Sequence, residues 1–209
     1  MVRLRVRIRF CKHGDLRLIG HRDLVRTMER VFRRAELQLG MSEGFHPKPR
    51  MSFPSALALG IAGRNEVMEL ELADDYSNTE ILGRLSNATV PGLEFLRVEH
   101  VPQGVKKARL SSSSYEMKIP PKRVRQAETR VGELIAAESF PVERPRGGKT
   151  VDSRRGLEHL EIDSGTLRMR LAVLPKGGAS PRDVLMALEL QDLEQEGCYL
   201  TRTEVELQP

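Results

Sequence analysis

The sequence predicts an α+β protein built from two tandem ferredoxin-like units, each with the element order β-α-β-β-α-β. Three observations lead to this prediction. Residues 2–10 alternate apolar and arginine side chains with the period of two that is typical of a strand. Residues 21–37 carry apolar side chains at helical spacing along one stripe. The same order of elements then recurs in the second half of a chain of 209 residues, a length that suits two domains.

The first unit opens with that strand and that helix. The two faces of the strand are Val2, Leu4, Val6, Ile8, Phe10 and Arg3, Arg5, Arg7, Arg9. The apolar stripe of the helix is Leu24, Val25, Met28, Val31, Phe32, Ala35. Gly40 is the predicted stop of the helix, and Pro47 and Pro49 predict an extended loop after it. The remaining predicted elements of this unit are strands at 51–60, 66–73 and 93–101 and a helix at 77–87.

A serine-rich, glycine-punctuated stretch at residues 102–114 predicts a linker. We therefore place a basic first domain at 1–104 and a second domain at 105–209. Ser180 and Pro181 predict the N-cap and first position of a helix. The other predicted elements of the second domain are a strand at 114–119, a helix at 121–138, a strand pair at about 140–163 and 166–174, and a closing strand at 199–207.

Charge is unevenly distributed along the chain. Residues 1–60 contain 13 Lys or Arg and 5 Asp or Glu, a net charge of +8. The remaining 149 residues contain 21 basic and 24 acidic residues, a net charge of −3. Such a basic module favours a polyanionic partner, with RNA as the expected one. The alternative is that the arginines only cover solvated faces.

Several functional classes lack their motifs in this sequence. It has no phosphate-binding loop, dinucleotide fingerprint, zinc-protease motif or cysteine cluster, so we expect no metal and no cofactor. Cys11 and Cys198 are expected to be free thiols. With no secretion signal and no long apolar run, the predicted location is the cytoplasm, away from any membrane.

The candidate nucleic-acid contacts lie in the first sixty residues. Arginines recur every three or four positions along the first helix, where their forks could bind phosphates, and two more basic residues follow in the loop. These candidates are Arg22, Arg26, Arg30, Arg33, Lys48, Arg50. Phe45, between Gly44 and His46, could stack on a base or turn inward and anchor the loop. A catalytic alternative uses His21 or His46 as general acid or base.

Two separated segments also resemble a known family. Residues 9–25, RFCKHGDLRLIGHRDLV, and residues 42–60, SEGFHPKPRMSFPSALALG, are similar in order and spacing to the radical-SAM-associated domain of unknown function. That domain stands alone or is joined to the C-terminus of a radical SAM protein. The positions that match its pattern are Lys12, Gly14, His21, Asp23, Ser42, Gly44, Phe45, Pro47, Pro49, Arg50.

The resemblance implies a setting in RNA modification or ribosome-related processes, and it implies no particular reaction. Together with the basic module, it leads us to expect a non-catalytic RNA-binding or substrate-presenting partner of a radical SAM protein, acting on tRNA or rRNA. In that hypothesis, Gly44 and the prolines shape the loop. Asp23 stabilises the start of the helix, because a negative charge there interacts favourably with the helix dipole. Two alternatives stay open: a metal-independent endoribonuclease that uses His21 or His46, and a protein-interaction adaptor that does not contact RNA.

Overall fold

A computed structural model describes residues 4–145 and 147–208. The chain divides into two compact units. The first unit ends at Arg109 and also includes Gln208 from the C-terminal end, and the second unit is Leu110–Leu207. Strands and helices are mixed in both units, so the predicted α+β class is confirmed. Val2, Arg3 and the predicted start of the first strand lie outside the described residues.

The first unit is an antiparallel sheet with the strand order β4-β1-β3-β2. This is the order of the split βαβ, ferredoxin-like arrangement. Ile8 of β1 pairs with Met68 of β3 on one side and with Val98 of β4 on the other. The elements are β1 Leu4–Lys12, a 3-10 helix Gly14–Leu18, α1 His21–Arg34, β2 Met51–Ser52, β3 Ala62–Leu72, α2 Asn78–Ala88 and β4 Leu93–His100.

The core of this unit lies between the sheet and its two helices. Every second residue of β1 enters it, as the alternation predicts, and Leu24, Met28, Val31 and Phe32 of α1 pack against them. Phe32 and Ile8 are fully buried. Because α1 buries this stripe, its arginines are left on the side that faces away from the core.

Three predicted boundaries in the first unit are wrong. α1 ends at Arg34 and not at Leu37, because Glu36 turns the chain with a φ of 53° before Gly40 is reached. The strand predicted at 51–60 is reduced to Met51–Ser52, since Pro54 has no N–H to donate to a ladder. β3 begins earlier than predicted, at Ala62.

The second unit has the strand order β10-β5-β9-β8, again antiparallel throughout. Its elements are β5 Leu110–Lys118, α3 Pro121–Ala136, β6 Pro141–Glu143, β7 Thr150–Asp152, β8 Leu157–Asp163, β9 Thr166–Ala172, α4 Pro181–Ala187 and β10 Thr201–Leu207.

The second unit differs from its prediction at two places. β6 and β7 form a separate hairpin within the region predicted as one strand. The serines predicted as linker belong to β5, which starts at Leu110. The prediction for Ser180 is confirmed, because its side chain caps α4 by accepting a hydrogen bond from the Asp183 N–H.

Within the described residues, none of the helices is both long and apolar enough to cross a membrane.

Candidate nucleic-acid interface

The exposed side of α1 carries the four predicted arginines, and they differ in their partners. Arg26 is paired with Asp23, one turn earlier, at 3.5 Å. Arg30 donates a hydrogen bond of 3.3 Å to the Thr27 hydroxyl. Arg22 and Arg33 are exposed and have no hydrogen-bond or ion-pair partner within residues 4–145 and 147–208. The side chains of this stripe therefore remain available to an anion.

The second predicted segment is a projecting loop, defined here as residues 41–50. Met41 and Pro49 pair across its root. The Ser42 N–H donates to the Lys48 carbonyl, and the Lys48 N–H donates to the Ser42 hydroxyl, both at 2.9 Å. Gly44 adopts a φ of +118°, a conformation that side chains other than hydrogen disfavour. The loop is thus held at its root by backbone bonds, and its tip is free to present side chains.

Phe45 stands at that tip with its full side-chain surface accessible, 102% of the reference value. The alternative in which Phe45 turns inward to anchor the loop is therefore wrong. Lys48 and His46 are exposed on the same loop, and neither side chain has a partner among the described residues. An exposed aromatic ring and an unpaired ammonium on one loop are groups suited to stacking on a base and binding a phosphate.

Arg50 lies at the root of the projecting loop and is less available than predicted. Its Nε donates a hydrogen bond of 3.0 Å to the Met41 carbonyl. Its Nη groups lie 3.7 Å from Glu71 and 3.8 Å from Glu43, which are ion-pair distances that do not amount to hydrogen bonds. Arg50 therefore fixes the loop through one group and keeps N–H donors on the other two.

The motif positions of the first segment combine a buried lysine with residues at the start of α1. Lys12 has an exposure of 0%, and its Nζ donates a hydrogen bond of 2.9 Å to the Ile19 carbonyl. The His21 ring stands edge-on to Phe53, with ring centroids 5.1 Å apart. Asp23 stands in the first turn of α1. Gly14 takes a φ of 56° at the start of the 3-10 helix. These residues shape the entry into α1.

The two histidines of the catalytic alternative do not meet in the described part of the chain. His21 Nδ1 is buried without a hydrogen-bond partner there, and no hydrogen bond or ring contact joins His21 to the projecting loop. His46 has no carboxylate paired with it among the residues that the structure describes. His13 is paired with a carboxylate: its Nε2 lies 2.9 Å from Glu94 in an exposed pair.

A cavity of about 220 Å³ opens beside the root of the projecting loop. Its lining consists of Arg5, Ser42, Arg50, Met51, Ser52, Glu69, Leu70, Glu71, Lys107. Two motif positions, Ser42 and Arg50, are thus joined there by Arg5 and Lys107, which no sequence motif singled out. The sequence does contain a signal for Arg5. Arginines alternate along β1 and glutamates along β3, and the two strands place them opposite each other, as with Arg5 and Glu71.

Metal binding finds no support in the part of the chain that the structure describes, where no cluster of three or more His, Cys, Asp or Glu side chains could hold an ion. Cys11 and Cys198 are free. Burial is the main reason why the pKa of the Cys11 thiol is raised, and the nearby Glu94 carboxylate raises it further. A raised pKa keeps Cys11 protonated at neutral pH, which makes it a poor nucleophile.

Comparison with known proteins gives a family and little else. Residues 5–182 match the sequence profile of a family described as "Uncharacterized protein conserved in bacteria (DUF2344)". No curated protein matches the chain. Among solved structures, that of an unknown protein from Galdieria sulphuraria aligns over 100% of both chains, at 13% sequence identity and a TM-score of 0.31. A TM-score of that size carries no argument about fold or function.

Proposed function

This chain belongs to the DUF2344 family of uncharacterized bacterial proteins, and we propose that it works in the cytoplasm as an RNA-binding or substrate-presenting partner of a radical SAM enzyme. The observation that carries the RNA-binding part is Phe45, fully exposed at the tip of a loop whose root is closed by hydrogen bonds. An exposed aromatic ring on a loop that also carries an exposed lysine offers a face on which a base can stack.

The exposed cations of the basic module favour nucleic acid as the partner of this ring. Arg22 and Arg33 on α1 and Lys48 on the projecting loop are exposed cations without partners in the described residues. Single-stranded RNA is bound by this combination, in which bases stack on aromatic rings and phosphates are neutralised by Arg and Lys. Stacking tolerates any base, so the proposed binding is shape- and charge-directed, with tRNA or rRNA as the expected ligand class.

The radical SAM partner is the part of the proposal that rests on sequence resemblance. It is supported by the two motif segments, whose residues lie in the entry to α1 and in the projecting loop. In this scheme the chain holds the RNA and the partner supplies the chemistry, so that the chain itself needs no cofactor.

The proposal is tested by measuring affinity for a labelled single-stranded RNA by fluorescence anisotropy. Phe45→Ala and Phe45→Leu should weaken binding by roughly 5- to 150-fold, because one base–aromatic stack contributes about 1–3 kcal/mol. Phe45→Trp should retain the affinity, since it keeps a ring for stacking. None of the three changes should alter the thermal midpoint, because Phe45 makes no buried contact.

RNA affinity equal to that of a neutral control protein, with no dependence on salt, would overturn the RNA-binding proposal. If Phe45→Leu binds RNA as tightly as the unchanged protein, the ring does not stack and the carrying observation fails.

A protein-interaction adaptor is the second candidate that the exposed Phe45 permits, because an aromatic anchor can also fill a pocket on another protein. It predicts that Phe45→Ala loses a co-purifying protein while RNA affinity stays unchanged. The endoribonuclease alternative predicts RNA cleavage in the presence of a chelator that is lost in His21→Ala or His46→Ala.

A further inference from the structure

The cavity at the root of the projecting loop brings two guanidinium groups to one small space. Arg5 Nη2 donates to the Val105 carbonyl, and Arg50 Nε donates to the Met41 carbonyl. No other hydrogen bond of either guanidinium is made within the described residues. Each guanidinium carries five N–H donors. Both arginines therefore face the cavity with most of their donors unused.

The carboxylates in the same lining do not cancel this positive charge. Glu69 is only 2% exposed, and its Oε1 accepts a hydrogen bond of 2.9 Å from Arg7. Its Oε2 accepts the Ala108 N–H at 3.3 Å. Both oxygens of Glu69 are thus occupied. Glu71, at 3.7 Å from Arg50, is the lining carboxylate that offsets one of the cations.

A third cation and two hydroxyl groups complete the lining. Lys107 is exposed, and its ammonium has no partner among the described residues. Ser42 accepts a hydrogen bond from the Lys48 N–H and can still donate its own proton, and Ser52 of β2 also lines the cavity. Fork-shaped guanidinium groups, an ammonium and hydroxyl donors are together the set that proteins use to hold a phosphate.

The dimensions also fit a phosphate. The cavity of about 220 Å³ is many times the roughly 10–15 Å³ that a single water molecule requires, so a phosphate group has room in it. A neighbouring hollow of about 230 Å³ shares Arg5, Arg50 and Glu71 and continues along residues 101–105. A phosphate in the first space thus leaves room for the attached nucleoside in the second.

We propose that this cavity binds the phosphate group of a nucleotide, held by Arg5, Arg50 and Lys107. The inference rests on the proposed function for its expected source, a phosphate of the bound RNA strand. Ser42 in the cavity is three residues from Phe45 at the loop tip, no more than about 11 Å along the chain. One strand can therefore stack on the tip and place a phosphate at the root.

The probe for the site is adenosine 5′-monophosphate, titrated by calorimetry against the full-length protein, with adenosine as the ligand that lacks the phosphate. Lys107→Gln should weaken binding of the monophosphate about tenfold or more, since it removes a charged donor. Lys106→Gln is the matched control, because Lys106 is also exposed, also unpaired among the described residues and absent from the lining. Arg5→Gln serves as a second variant with the same expected loss.

Equal binding of adenosine and its monophosphate, or equal affinities of Lys107→Gln and Lys106→Gln, would overturn the inference even if RNA still binds through Phe45. Loss of the monophosphate site in Lys107→Gln, in a protein that does not bind RNA, would support the inference and overturn the proposed function. The source of the phosphate is settled by competition. Displacement of RNA by the monophosphate, together with weaker RNA binding by Lys107→Gln, identifies the RNA phosphate. Unchanged RNA affinity identifies a free nucleotide.

Discussion

Lys12 is fully buried, although an ammonium group is among the costliest to remove from water. Its Nζ donates to the carbonyl of Ile19, the residue before Gly20, which is the N-cap of α1. This bond connects the last residue of β1 to the start of the helix that carries the arginines. Lys12 therefore links β1 to the start of α1, and its ammonium is not available to an outside anion.

For this residue we predict that Lys12→Met lowers the free energy of unfolding by about 1–3 kcal/mol, because the partly buried Ile19 carbonyl loses its charged donor. Urea denaturation measures the change. Lys106→Met, at an exposed position, should stay within about 0.5 kcal/mol of the unchanged protein. Equal stabilities of the two variants would show that the Lys12 bond contributes nothing net.

The burial of Lys12 could have been predicted from the sequence. Residues 6, 8, 10 and 12 share one face of β1, so the alternation that places Phe10 in the core also places Lys12 there. The exposure of Phe45 could not be predicted in this way. Its orientation depends on the pairing of Met41 with Pro49 at the loop root, a contact that no local pattern encodes.

Among the elements, α4 is held at its N-terminus by the carboxylate of Asp183. This carboxylate completes the capping box with Ser180 and also binds Arg144, next to the hairpin of β6 and β7. Asp183 is 2% exposed; its carboxylate accepts hydrogen bonds from the Ser180 N–H and hydroxyl and from Arg144, which follows β6. Burial acts to raise the pKa of Asp183, but the hydrogen bonds from Arg144 and Ser180 outweigh it and hold the pKa below its ordinary value.

A lowered pKa in the folded state makes Asp183 a source of stability that is present above its unfolded pKa of about 3.9. This stability is lost as the pH falls through the lower folded value. We predict that Asp183→Asn reduces the free energy of unfolding by about 1–3 kcal/mol at pH 7 and flattens its decline in acid. Urea titrations between pH 7 and pH 2 measure both. Asp75→Asn, at an exposed loop position, should reproduce the unchanged protein; an equal acid decline in both variants would contradict the role of Asp183.

Local sequence signals predicted the start of α4 correctly. Ser180 is its N-cap and Pro181 its first residue, as expected from their side chains. The errors arose where tertiary contacts decide. Residues 53–61 are apolar enough for a strand but have only irregular structure, and Glu36 ends α1 in a conformation that its side chain does not favour.

On the scale of the whole molecule, the positive charge is concentrated in residues 1–60, so exposed cations in that module can be compared with exposed cations elsewhere in the chain. Arg22 and Arg33 belong to the basic module, whereas Arg125 and Lys176 lie in the second unit, exposed and unpaired within the described part of the chain. If only the first pair contacts RNA, removing it must change the salt dependence of binding, and removing the second pair must not.

We therefore predict that the plot of log affinity against log salt concentration becomes shallower by about 1.4 in Arg22→Gln/Arg33→Gln, because each phosphate of a single strand that is no longer neutralised lowers the slope by roughly 0.7. Arg125→Gln/Lys176→Gln removes the same net charge and should keep the original slope. Anisotropy titrations at salt concentrations from about 50 to about 200 mM give both slopes. Identical slopes in the two double variants would mean that the molecule attracts RNA through its overall charge alone.

The closed root of the projecting loop also has a kinetic consequence. Pro47 and Pro49 have fixed φ angles, and the bonds between Ser42 and Lys48 hold the ends of the loop together. Ordering of flexible segments is a major cost of association and slows it when it must accompany binding. If RNA binds at Phe45 as proposed, the loop that carries the ring is already closed at its root, so we expect association to follow encounter without a separate folding step of the loop.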